Sequence, residues 1–246
     1  MMIHLLTLLA LVAAQSGPAV PGKLLFEDDF ARAELSPKWK VGKGFFSVKD
    51  GVVTATENPD DHHGAYAYAE PRFTFKDLVV EYSVKLEGGQ LCHVLVDDTA
   101  YKGAHAGHIL KARVVPKGVE LADYKFGTMR NDYVEKMKDP QTTDDEKKAL
   151  KESVRDKSAT FKVDADMAQW HKVRVEMLGD EMTMSLDDKP AGYLKSAGLE
   201  HPTKNAIGFT VRGKSVLIKS VKMWEATPSP DWPDRRAAFV AALSKK

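Results

Sequence analysis

Seven histidines beyond the N-terminal segment (His62, His63, His93, His105, His108, His171 and His201) are the chain's most conspicuous store of reactive side chains. His93 stands in an apolar run that ends in Asp97-Asp98, and His105-Ala106-Gly107-His108 leads into the next run. If these runs pair as a hairpin, His93, Asp97, Asp98, His105 and His108 converge at one end of a sheet. Imidazole beside carboxylate suits general acid–base work near neutral pH, or a divalent metal. Lys111 and Arg113 alternate with Leu110, Ala112 and Val114, so both cations face one side of their strand. If that side is the concave face of a sandwich, they would sit beside Asp123 and could stabilise developing negative charge.

On this reading the catalytic candidates are His93, Asp97, Lys111 and Arg113. The substrate-binding candidates are His62, His63, Tyr66, His108, Asp123 and Lys204, with Tyr68, Tyr101 and Tyr124 available to stack on a ring-shaped ligand. Each has a plainer alternative. His93 could be a hydrogen-bonded core residue, His62 and His63 a surface loop, and Lys111 with Arg113 a solvated face. His171 shares a face with Val173 and Val175, which favours burial. No cofactor is required by these residues. A divalent metal is compatible with them, but its ligands cannot be assigned, because no His-x-x-x-His spacing is present.

Other chemistries are poorly served. There is no Gly-x-Ser-x-Gly elbow, and Cys92 lacks a basic neighbour beyond His93. A single cysteine forbids an intrachain disulfide framework or a multi-cysteine metal site. With 36 Lys and Arg against 35 Asp and Glu, there is no global electrostatic case for nucleic acid or an anionic membrane.

The elements that would position these groups are short strands. Asp50-Gly51 joins two β-patterned runs as a hairpin. Leu78, Val80, Tyr82, Val84 and Leu86 alternate with polar positions, and Gly179-Asp180 turns the Trp170–Met177 run onto Met182, Met184 and Leu186. Many such runs with almost no helix between them predict an antiparallel sandwich or jelly roll. Two segments depart from this. Between Asp123 and Lys157 lie nine acidic and nine basic residues, and Thr143-Asp144-Asp145-Glu146 is a capping box. A solvated helical insertion, at about 125–157, is expected there. After Pro228, Pro230 and Pro233, Ala237–Leu243 predicts a short docked helix.

Residues 1–14 read as a signal peptide, with the apolar run Leu5–Val12 and small residues before Gln15. Residues 15–23 would form a leader, 24–226 the jelly-roll domain, and 227–246 the Pro-rich C-terminal segment. The expected location is periplasmic or extracellular, without a membrane span.

Trp170–Glu176, Gly179-Asp180 and Ser185–Pro190 resemble the paired strands of concanavalin A-like and laminin-G-like sandwiches. Phe26–Phe30, Trp39 and the final strand Val216–Trp224 are similar to the opening and closing strands of one secreted bacterial branch, the 3-keto-disaccharide hydrolase domain family. The resemblance spans roughly residues 24–226. It implies a jelly-roll fold, export and a carbohydrate or glycoside partner. The family is shadowed by a link to family-16 glycoside hydrolases, whose retaining chemistry needs two carboxylates about 5 Å apart. The required Glu-x-Asp-x-x-Glu string is missing. Two functions follow: a keto-glycoside hydrolase or lyase, and a non-catalytic carbohydrate-binding or cell-surface module. An interaction role for the charged insertion is a third.

Overall fold

The computed structural model describes residues 17–243; the segment read as a signal peptide lies outside them. Turn chemistry decides which strands meet. Asp50 and Gly51 both take positive φ (50° and 76°), the backbone of a tight hairpin turn. Asp187 and Asp188 do the same (50° and 62°).

One sheet runs β13 (Lys189–Lys195), β12 (Glu181–Leu186), β11 (His171–Leu178), β6 (Leu78–Lys85), β15 (Val216–Pro228), β4 (Val52–Thr56), β3 (Phe45–Lys49). β1 (Ala19–Asp28) also pairs with β15, so part of the segment read as a leader lies within the sheet. The second sheet runs β10 (Ser158–Lys162), β9 (Gly118–Asp123), β8 (His108–Val115), β7 (Gly89–Asp97), β14 (Ala206–Gly213), β5 (Ala65–Ala69), β2 (Trp39–Lys43). Every pairing is antiparallel. The expected all-β, concanavalin A-like jelly roll is what forms.

The inner faces interleave into one core, with Val80, Tyr82 and Met184 from the first sheet and Val94, Ile109 and Phe209 from the second. Cys92 is part of it, and burial pushes its thiol well up, as expected of a packing residue. The charged insertion forms two helices, α1 (Asn131–Lys138) and α2 (Asp144–Ser153). Thr143 and Glu146 cap α2 reciprocally. The C-terminal helix α3 runs over Trp232–Leu243, starting before the expected Ala237 because Trp232 anchors its first turn. The Trp232 indole donates to Glu181 at 2.9 Å, and Phe239 packs beside it. No helix among the described residues is long and apolar enough to cross a membrane.

Asp28 ties the two sheets at one end. From β1 it accepts the indole N–H of Trp39 on β2 (2.7 Å), both terminal guanidinium N–H groups of Arg32 (2.6 and 2.8 Å) and the Phe30 N–H (2.9 Å). Burial opposes its charge, but these bonds outweigh burial and hold its pKa below the usual carboxylate value. The folded pKa is the lower one, so the stabilisation is complete above about pH 4 and is lost as pH falls through the folded value. Asp28→Ala should cost about 3–5 kcal/mol in denaturant unfolding at pH 7. The gap from wild type should narrow on acidification; a constant gap would contradict this account.

Candidate functional site

The second sheet turns one face to the core and the other outward, and the period of two decides which residue goes where. Cross-strand pairing places Tyr66, Thr210, His93, Arg113 and Glu120 in one row across β5, β14, β7, β8 and β9. The next row holds Tyr68, Gly208, Leu95, Lys111 and Ala122. Simple alternation would then put His108 on the opposite face from Lys111. A β-bulge prevents this: Val96 pairs with Leu110 but Asp97 pairs with His108. Ile109 and Leu110 both enter the core, and His108 emerges beside Asp97.

The result is a cleft of about 420 Å³. Its floor is His93 and Arg113. Tyr66, Thr210 and Arg212 form one wall, and His105, His108 and Tyr124 another. Met129, from the insertion, closes that second side and joins a small apolar cluster with Leu95, Ala122 and Tyr124. The insertion therefore helps build the cleft wall.

Asp97 is a hub behind this wall. One oxygen accepts the Tyr68 hydroxyl at 2.6 Å and the other meets His108 Nδ1 at 2.7 Å. An ionised carboxylate can only accept, so Nδ1 carries the proton and Nε2 is left for a ligand. Glu120 plays the same part for the cations, taking Lys111 Nζ at 2.7 Å and the Arg113 guanidinium. Burial works against the Glu120 charge, yet the Lys111 hydrogen bond and both neighbouring cations keep its pKa low. Burial lowers that of Lys111 and raises those of Tyr68 and Tyr124, so the two phenols stay protonated donors.

Two buried polar atoms at the floor have no partner: His93 Nδ1 and Arg113 Nε. Leaving such groups unsatisfied costs about 1–3 kcal/mol each, and they are cross-strand neighbours. Burial, then the charges of Lys111, Arg113, His108 and Arg212, pull the His93 pKa down to about 3. The floor thus presents a neutral imidazole next to a guanidinium.

Not every expected residue is here. His93, Arg113, His63, Tyr66 and His108 line the cleft; Asp97 and Lys111 stand immediately behind it. His62 takes a left-handed conformation (φ 49°) at the end of a 3-10 turn and faces a neighbouring depression. Asp123 pairs across from core-facing Leu110, so parity turns it away from Lys111. It accepts from Ser196 Oγ (2.6 Å) and the N–H groups of Gly198 and Phe126 (both 3.0 Å), pinning a loop instead. Lys204 is buried, donating to the carbonyls of Lys76 (2.5 Å) and His201 (3.1 Å); burial draws its pKa to about 8. Asp98 bonds His201 (2.9 Å) away from the cleft wall. Thr210 and Arg212 were not anticipated, although they alternate with Phe209 and Val211 in the sequence. Among the described residues no group of three or more His, Cys, Asp or Glu side chains could hold a metal ion. Nor does any carboxylate line the cleft.

The depressed His93 pKa has a stability consequence. The unfolded imidazole takes a proton near pH 6.5 and the folded one only near 3, so this contribution is present above 6.5 and lost as pH falls between the two. Nitrogen-15 NMR of the folded protein should show His93 as a neutral tautomer until the pH approaches about 3. His93→Gln should make unfolding less acid-sensitive. A His93 that titrates near its ordinary value would overturn the environment described.

A scan against family models finds no match for this chain, and neither does a search of curated proteins. Solved structures do share its fold. The laminarinase from Rhodothermus marinus superposes with a TM-score of 0.56 at 11% identity, over 85% of this chain and 99% of that one. The endo-beta-1,3-glucanase from Pyrococcus furiosus gives 0.55 at 10% identity, over 87% and 100%. The carbohydrate-binding module CBM66 from Bacillus subtilis gives 0.51 at 12% identity, over 76% and 96%. At these identities the likeness establishes the architecture, a two-sheet jelly roll shared with glycoside hydrolases and a carbohydrate-binding module.

Proposed function

We propose that this chain is an exported carbohydrate-active protein that cleaves keto-sugar glycosides by elimination in the cleft. The observation that carries the reading is that two cross-strand neighbours on its floor, His93 and Arg113, each keep a buried polar atom without a partner (Nδ1 and Nε). The fold's other bearers support a sugar ligand by analogy alone: those named above are a laminarinase, a glucanase and a carbohydrate-binding module. The retaining two-carboxylate mechanism finds no support, because Asp97 and Glu120 are both committed to neighbours behind the lining.

A ketone at C3 of a sugar acidifies the C2 proton. His93 takes that proton, and its electron pair forms the C1=C2 double bond as the glycosidic C1–O bond breaks. Arg113 holds the C3 oxygen while it carries enolate charge, a role suited to a donor already fixed by its ion pair with Glu120. The same negative charge offsets the cations that otherwise disfavour protonating His93. His93 then passes the C2 proton to the leaving oxygen, while His108, whose bare Nε2 is oriented by Asp97, accepts a hydrogen bond from a sugar hydroxyl. Water added across C1=C2 completes a net hydrolysis. Tyr66 and Tyr124 offer ring faces to the sugar.

Product analysis with 3-keto-glycosides and their unoxidised parents tests this. Keto substrates should be cleaved and parents left intact, and His93→Ala should lower turnover by about 10²–10⁴ while glycan binding persists. Binding without turnover of any member would leave the non-catalytic module as the correct reading.

A further inference from the structure

Arg212 follows the outward parity of β14, opposite Leu91. It borders both the cleft and an adjoining depression of about 740 Å³ that Lys214 also lines. Arg212 and Lys214 are exposed, and the side chain of neither forms a hydrogen bond or ion pair with a described residue. The nearby carboxylate, Glu57, accepts the Gly213 N–H at 2.9 Å. Deeper in, Lys111 and Arg113 share one carboxylate, Glu120. The depression, which Glu57 also lines, thus sets two cations against one carboxylate, as the floor does, and no acid lines the cleft between them.

Arg113 and Arg212 lie two strands apart. At about 4.8 Å per strand their backbones are separated by on the order of 10 Å, a spacing suited to successive sugar rings. Phe45, 61% exposed, stands at the far side of the depression and offers an apolar face to the outer ring.

We infer that Arg212 and Lys214 form a subsite for an acidic sugar, carrying a carboxylate or a sulfate ester, joined to the sugar seated over His93 and Arg113. The inference rests on the carbohydrate reading above and narrows it to anionic oligosaccharides. A guanidinium matches the planar oxygens of a carboxylate in a bidentate fork, which an ammonium does not.

Calorimetric titration tests this, using a neutral oligosaccharide, a uronic-acid oligosaccharide of the same length and a sulfated neutral one. The acidic ligands should bind at least about tenfold more tightly than the neutral one, a difference of about 1.4 kcal/mol. Added salt should erode that preference. Lys214→Ala, which lies outside the cleft, should lose part of the preference yet retain its affinity for the neutral ligand; the Arg212→Ala, Lys214→Ala double variant should lose the whole preference, and Arg212→Lys should keep part of it. Comparing the uronate and sulfate arms identifies which acid is preferred. Equal affinity for neutral and acidic ligands, or a preference that survives the double variant, overturns the subsite and leaves the carbohydrate reading standing. If no oligosaccharide binds at all, the carbohydrate reading falls and the subsite with it.

Discussion

The period of two along β7 and β14 is the constraint on which both the core and the cleft depend. Cys92, Val94 and Val96 point inward while Leu91, His93 and Leu95 point outward, and Val211 and Phe209 alternate with Thr210 and Arg212 in step. A slip of one residue would exchange the two sets, burying imidazole and guanidinium and exposing the apolar core. The register is consequently fixed by the same apolar burial that stabilises the fold. No separate energy is needed to aim His93.

That rigid frame carries an electrostatic arrangement that is incomplete at the floor of the cleft. Asp97 is satisfied by Tyr68 and His108, and Glu120 by two cations. Elsewhere in the chain buried acids are equally well served, as with Asp28 and Asp123. The floor of the cleft departs from this pattern, with His93 Nδ1 and Arg113 Nε left unpaired next to a space that a ligand or ordered water can enter. The orphaned hydroxyl of Tyr82 and Nδ1 of His201 are the other two such atoms. Tyr82 is sealed in the core, and His201 is held by Asp98 and packed against Tyr101, so neither opens onto the cleft.

Much of this frame was legible in the sequence. The Asp50-Gly51 and Gly179-Asp180 turns, the alternation of β6 and the Thr143 capping box are local signals, and local chemistry decides them. The convergence of His93, Asp97 and His108 was legible as a hairpin. Its cause was not, because alternation alone sets His108 on the wrong face and only the bulge at Ile109 corrects it. Asp123 was misplaced for the complementary reason: with no break in register between β8 and β9, its pairing with Leu110 turns it from Lys111. Lys204 and His62 belong to turns whose path depends on distant carbonyls and on left-handed backbone, neither of which a sequence pattern reports. Arg212 is not legible in the sequence, because one cation at the end of an apolar strand has the pattern of an ordinary surface charge and only the fold sets it beside the cleft.

The most direct measurement is a crystal structure of the protein with an uncleaved keto-glycoside, using His93→Gln to halt the chemistry. The account predicts the sugar in the cleft, with its C3 oxygen hydrogen-bonded to the Arg113 guanidinium and C2 facing residue 93. A sugar bound elsewhere, or one in the cleft that turns C2 and C3 away from these two residues, would contradict it.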